Sequence, residues 1–213
     1  MSNALTILNL LIRSHSDERS GAQNLNFSGT MTLDFSFSNS QYGKFYYWNC
    51  NMNNNIVITG VNPINQCIVE GGFWFGGITA SGVAITWNGV SGQGGTVTLT
   101  SSSTACSFTA FGGGTVGNLS ITTVSGLPPT STLIDCPILG SLTLSGAGSQ
   151  LSATVSSLPL KNQITNVGGT IILLSDAYSL AYVPTNLADW NGVGPSTVQA
   201  ALDRIAAKIG LIP

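Results

Sequence analysis

The side chains that could move a proton in or beside the patterned part of this chain are few: Asp34, Glu70, Asp135 and Asp176. A glycosidase needs two carboxylates at roughly 5 to 9.5 Å, and no two of these acids share a recognisable spacing. Glu70 is the most suggestive, because "GGFWFGG" follows it directly and aromatic rings can stack on sugar faces. A lone carboxylate is more simply read as a solvated turn residue. His15 is the single imidazole, which leaves no Ser-His-Asp arrangement to build. Gly112-Gly113-Gly114 and Gly94-Gly95 lack the lysine and the strand–turn–helix setting of a phosphate loop and read as corners. Cys50, Cys67, Cys106 and Cys136 form no CxxC pair and have no histidine partners, so they read as buried free thiols, with one or two disulfides as the alternative, rather than a zinc site. The reading is therefore of a non-enzymatic chain with no cofactor and no metal.

Aromatic groups are richer than catalytic ones. Tyr46-Tyr47-Trp48 and Phe73-Trp74-Phe75 occupy successive positions, so strand alternation must turn some of them outward. Tyr46, Trp48, Glu70, Phe73, Trp74 and Phe75 are accordingly the candidate glycan or subunit contacts. Burial in the core is the competing reading for each ring, since large rings are mostly buried.

The elements that must carry these residues show in the composition. Charged residues make up 7% of the 213, and none of Asp, Glu, Lys, Arg or His occurs from Gly71 to Ile134. Solubility there rests on Ser, Thr, Asn, Gln and backbone, as on a rigid extracellular or virion-type surface or one covered by neighbouring subunits. Six scattered basic residues and a net charge of −2 argue against nucleic acid as a partner. The N-terminal "MSNALTILNLLIRSHSDERSG" does not read as a signal peptide, and no apolar run approaches the roughly 20 residues of a membrane span, so membrane insertion is not expected. The glycosylation sequons at Asn26 and Asn118 then carry little meaning. Synthesis in a host cytoplasm followed by assembly into a virion is the expected route.

Short alternating runs begin at Leu33, Ile56, Ile78, Val97, Leu119 and Leu142, at intervals of 23, 22, 19, 22 and 23 residues. A second, less regular series runs through Phe45–Trp48, Cys67–Val69, Val83–Ile85, Phe108–Phe111 and Leu133-Ile134. Recurrence at about 20 to 29 residues is a solenoid signal. Val, Leu, Ile and Phe would face inward, Thr and Ser outward, and Gly and Asn would take corners that need positive φ. The expected fold is mainly β, a parallel β-helix or solenoid-like body. An antiparallel β-sandwich or jelly roll is the alternative, because its strands produce similar alternation. Thr96, Thr98 and Thr100 raise an ice-binding reading, which ranks lowest because the threonine rows do not align over successive coils in the sequence.

The expected domains are a helical docking segment over 1–23, a β-rich domain over 24–175, a linker over 176–195 and a C-terminal helix over 196–213. Leu5, Leu8, Leu11 and Ile12 suit a short N-terminal helix, with a strand as the other reading. At the C-terminus, Ser196 and Gln199 form a capping-box pattern. Val198, Ala201, Leu202, Ile205 and Ile209 then make one apolar stripe suited to oligomerisation or docking. Isolated helices under about 12–15 residues are marginal, so this stripe must pack on its own domain or on copies of itself.

The segment "DWNGVGPSTVQAALDRIAAKIG" resembles one common in bacteriophage tail-fibre and tailspike-type virion proteins. There a Trp and a Pro-Ser/Thr-Thr-Val-Gln stretch lead into an Ala-Leu-Asp-Arg-Ile/Leu-Ala helix. Trp190, Pro195 to Gln199 and Ala201 to Ala206 carry the likeness, over about a tenth of the chain. The resemblance implies a virion structural protein, homotrimeric, acting as a tail fibre, spike or baseplate-associated component in assembly and host attachment. Its partners would be copies of itself, other virion proteins and a host surface glycan. A carbohydrate-binding or polysaccharide-cleaving attachment module is one alternative. A minor capsid or decoration protein of a large DNA virus, where related helices also occur, is another.

Overall fold

The computed structural model describes residues 7–13, 20–35, 44–61 and 65–174, together with 201 and 204. The chain divides into two compact units, Met1–Ile172 and Leu173–Pro213. The first unit is a parallel β-solenoid of about six turns, and the antiparallel alternative is set aside. Among the described residues the pairings that join its strands from Ile7–Arg13 to Ile164–Val167 are parallel.

Each coil passes through two long faces and one short one. On the first face, Met31, Ile56, Ile78, Val97, Leu119, Leu142 and Ile164 stand side by side, one per coil. Ile56 to Leu142 are the rungs expected from the sequence; Ile164 extends the row by one coil, and Met31 rather than Leu33 pairs with Ile56. The shift is two residues, so it leaves the buried set on the same face. On the second face Phe45, Cys67, Ile85, Phe108, Ser131 and Leu151 align in the same way. The third face consists of two-residue strands, Asn51–Met52, Phe73–Trp74 and Ser91–Gly92, beside the first half of Asn26–Asp34.

Alternation fills the interior. Met31, Leu33, Ile56, Ile58, Ile78, Ala80, Val97, Leu99, Leu119, Ile121, Leu142 and Leu144 are all buried, and the residues between them face out. An aromatic chain crosses the core through successive coils, in the order Phe27, Tyr47, Trp74, Trp87, Phe108. Its ring centroids lie 5.3 to 5.9 Å apart, edge to face, and each such pair adds about 0.5–1.5 kcal/mol beyond its burial. The Tyr47 hydroxyl donates to Met31 Sδ at 2.6 Å, which gives this buried phenol a partner. In six successive coils the corner after the second face carries a left-handed residue: Asn24, Asn49, Gly71, Gly89, Gly112 and Asp135. Asn and Asp tolerate that conformation and Gly adopts it freely. Asn49 Nδ2 also donates to Asn24 Oδ1 at 3.0 Å, tying two coils at the corner.

The N-terminal helix expected from Leu5, Leu8, Leu11 and Ile12 is corrected. Ile7–Arg13 is a strand, paired in parallel with Asn26–Asp34. Five apolar residues in seven fit an edge-covering strand as well as a short helix, and the free edge of Asn26–Asp34 decides the matter. Ser20–Gln23 likewise joins the second face beside Lys44–Trp48, so the sheet begins before residue 24.

Of the expected C-terminal helix, Ala201 and Arg204 are described; both are helical, Ala201 buried and Arg204 exposed. Val198, Leu202, Ile205 and Ile209 lie outside the described residues, as does the linker. Among the described residues no helix is long and apolar enough to cross a membrane.

Candidate functional site

The aromatic candidates separate by strand parity. Trp74 is 1% exposed and belongs to the core, so its place among the surface candidates is corrected. Phe73 and Phe75, one step to either side, are 50% and 49% exposed. Trp48 is 59% exposed, and Tyr46 is half-buried in the outer row of the second face while Tyr47 between them is buried. Trp48 and exposed Glu70 are register partners at the end of the second face. Phe73 lies on the third face, where its N–H donates to Asn51 Oδ1 at 3.2 Å. Phe75 follows at the next corner, its N–H donating to the Met52 carbonyl at 2.8 Å. The exposed rings therefore run around the outside of two successive coils.

The described acids sit on different faces or in different coils. Asp34 ends a strand of the first face and accepts a hydrogen bond from Thr59 Oγ1 at 3.3 Å. Glu70 ends a strand of the second face. Asp135 sits at a corner with φ 49° and accepts from Ser156 Oγ at 3.0 Å. It lies three coils beyond Glu70, about 14 Å at the usual strand spacing, which exceeds the separation of a glycosidase pair. Asp176 and His15 lie outside the described residues. Among the described residues no three of His, Cys, Asp and Glu cluster as metal ligands would.

The four thiols are free and buried. Burial pushes Cys67 up to about 12 and Cys136 up to about 11. It also raises Cys50 and Cys106, against backbone hydrogen bonds that pull them down. These are packing residues in the protonated form, not nucleophiles.

An open groove of about 380 Å³ lies where Phe75 meets the first face. Its cause is a missing side chain. Asn55, Gly77 and Thr96 immediately precede three register-paired residues, Ile56, Ile78 and Val97, so they form one outer row over three coils. Glycine in the middle leaves a dip between Asn55 and Thr96. No larger residue fits there, because a Cβ on Gly77 would stand 2.8 Å from the Thr96 carbonyl oxygen. Thr79 and Thr98 continue the wall, and Gly94-Gly95 form the far rim. Asn55 Oδ1 accepts the Gly77 N–H at 2.7 Å, so its amide is held in place with Nδ2 left to donate. Sequence reasoning singled out Phe75 but missed the groove, whose signal is the register that puts Gly77 between two polar side chains.

The threonine rows, expected not to align, do align. Thr79, Thr98, Ser120, Thr143 and Thr165 form one outer column, and Ser81, Thr100, Thr122 and Ser145 form another. Val57 and Val167 interrupt these columns at the two ends, and serine is mixed in among the threonines, so the face carries hydroxyls without a uniform threonine lattice.

The fold and this surface together define a parallel β-solenoid with a neutral, hydroxyl-rich exterior and outward rings on two coils. No protein-family model matches the chain, and no curated protein or solved structure matches it.

Proposed function

We propose that the chain is a non-enzymatic virion structural protein, a homotrimeric fibre, spike or baseplate-associated component that takes part in assembly and host attachment. The observation that carries the attachment half is the set of outward rings, Trp48, Phe73 and Phe75, on a surface whose neighbouring side chains are almost all neutral. The same short runs bury Tyr47 and Trp74, so the exposed rings are anchored to a rigid core rather than to mobile loops. Rings displayed in this way suit sugar faces or subunit contacts. The assembly half rests on the C-terminal sequence, whose stripe of Val198, Ala201, Leu202, Ile205 and Ile209 fits packing against copies of itself.

The separated carboxylates favour binding over cleavage. Incubation with envelope polysaccharide tests this: the protein should sediment with the polysaccharide while the count of reducing ends stays constant. Release of reducing ends that is abolished in Glu70→Gln would replace the scaffold reading with a cleaving module. Failure to sediment with any envelope polysaccharide would remove the attachment half.

A further inference from the structure

We infer that the groove beside Phe75 is a binding site for an uncharged sugar unit, with the Phe75 ring as its platform. The inference rests on the attachment reading and names the ligand class and the place where it is held. Three observations carry it. The groove, at about 380 Å³, falls within the roughly 300–1,000 Å³ range of small-ligand sites. Phe75 lines one end of it and is exposed, so its ring can offer an edge to the C–H side of a pyranose seated there. The wall is lined by groups that match a polyol: the Asn55 amide and the hydroxyls of Thr79, Thr96 and Thr98. These three hydroxyls and Asn55 Nδ2 have no protein partner among the described residues, whereas Asn55 Oδ1 is already engaged by Gly77.

The choice of an uncharged sugar follows from what surrounds the groove. Every residue lining it is neutral, and the sequence from Gly71 to Ile134 contains no ionisable acid or base other than Cys106. A uronate or sialate carboxylate placed there would lose water without gaining a cation, which is costly for an ion. A neutral hydroxyl exchanges water for Asn or Thr at little net cost. The glycine rim adds access: nothing lies within 4 Å of a Cβ built on Gly94, so an oligosaccharide could continue past that end.

The test is an array of neutral oligosaccharides built from glucose, galactose, mannose and N-acetylglucosamine, with uronate- and sialate-containing ones beside them, followed by calorimetry on the best neutral ligand. The expected result is binding confined to neutral members. Phe75→Ala should weaken it about tenfold, the equivalent of one stacking contact. Thr79→Val with Thr98→Val should weaken it while preserving the β-branched shape and the circular dichroism spectrum. Leu160→Ala, at an exposed position that does not line the groove, should leave the affinity unchanged. Preference for acidic sugars overturns the inference, as does full affinity in Phe75→Ala, or loss in Leu160→Ala alone. If the protein sediments with envelope polysaccharide yet binds no array member, or keeps its affinity without Phe75, this groove is wrong and attachment stands. If it neither sediments nor binds, the attachment reading fails with it.

Discussion

Asn55 Oδ1 accepts the backbone N–H of Gly77 at 2.7 Å, a side chain of one coil fixed by the backbone of the next. This bond holds the groove wall, and the absence of a Cβ at Gly77 makes the groove floor. Gly77→Ala puts a methyl group 2.8 Å from the Thr96 carbonyl oxygen, so the coils must separate locally. Urea denaturation should show a loss of about 1–3 kcal/mol, the usual range for overpacking. Unchanged stability would mean that the coil spacing is looser than the register implies.

Trp74 is buried between Tyr47 and Trp87, and no group among the described residues accepts its indole N–H or that of Trp87. Packing, not hydrogen bonding, must then account for the worth of this residue. Trp74→Ala should cost about 3–5 kcal/mol. Trp74→Phe keeps a ring in the stack and removes an unpaired donor, so its cost should stay below about 2 kcal/mol. Equal losses in the two variants, measured by denaturant titration, would contradict a stacking role.

The buried thiols set a pH dependence. Cys67, at about 12 in the folded chain, is shifted up by burial from its ordinary value near 9.0. The unfolded thiol therefore loses its proton first as pH rises. Between the two values the unfolded chain binds fewer protons than the folded one, so stability falls with pH and is fully present below about 8. The slope is about 1.4 kcal/mol per pH unit for each thiol so buried. Unfolding midpoints at pH 7.5, 9 and 10.5 should decline steadily, and Cys67→Ala should flatten the decline. Native protein at pH 8 should also resist thiol reagents that modify all four cysteines in urea.

The solenoid was legible in the sequence because its period is written in β-branched and aliphatic residues at intervals close to 22. Of the six rungs expected on the first face, five are where the alternation puts them, from Ile56 to Leu142. Met31 and Leu33 are both apolar and share parity, so the pattern alone could not choose between them. The third face left no trace, because two-residue strands such as Phe73–Trp74 are too short to alternate. That is also why Trp74 passed for a surface candidate beside Phe73 and Phe75. The threonine columns were hidden by the uneven intervals, and the groove by its dependence on cross-coil register. The run Ile7–Arg13 satisfied two periodicities at once, and only the neighbouring strand decided between them.

The apolar stripe at the C-terminus is expected to hold copies together. Leu202→Asp combined with Ile205→Asp should dissociate the assembly into single chains while the β signal in circular dichroism persists. An assembly that survives both charges would mean that the contact between copies lies elsewhere.

Light scattering on the purified protein tests the central claim of an assembled fibre or spike component most directly. A mass three times that of the 22.0 kDa chain is the predicted result. The mass of a single chain, unchanged over a range of concentrations, would contradict it.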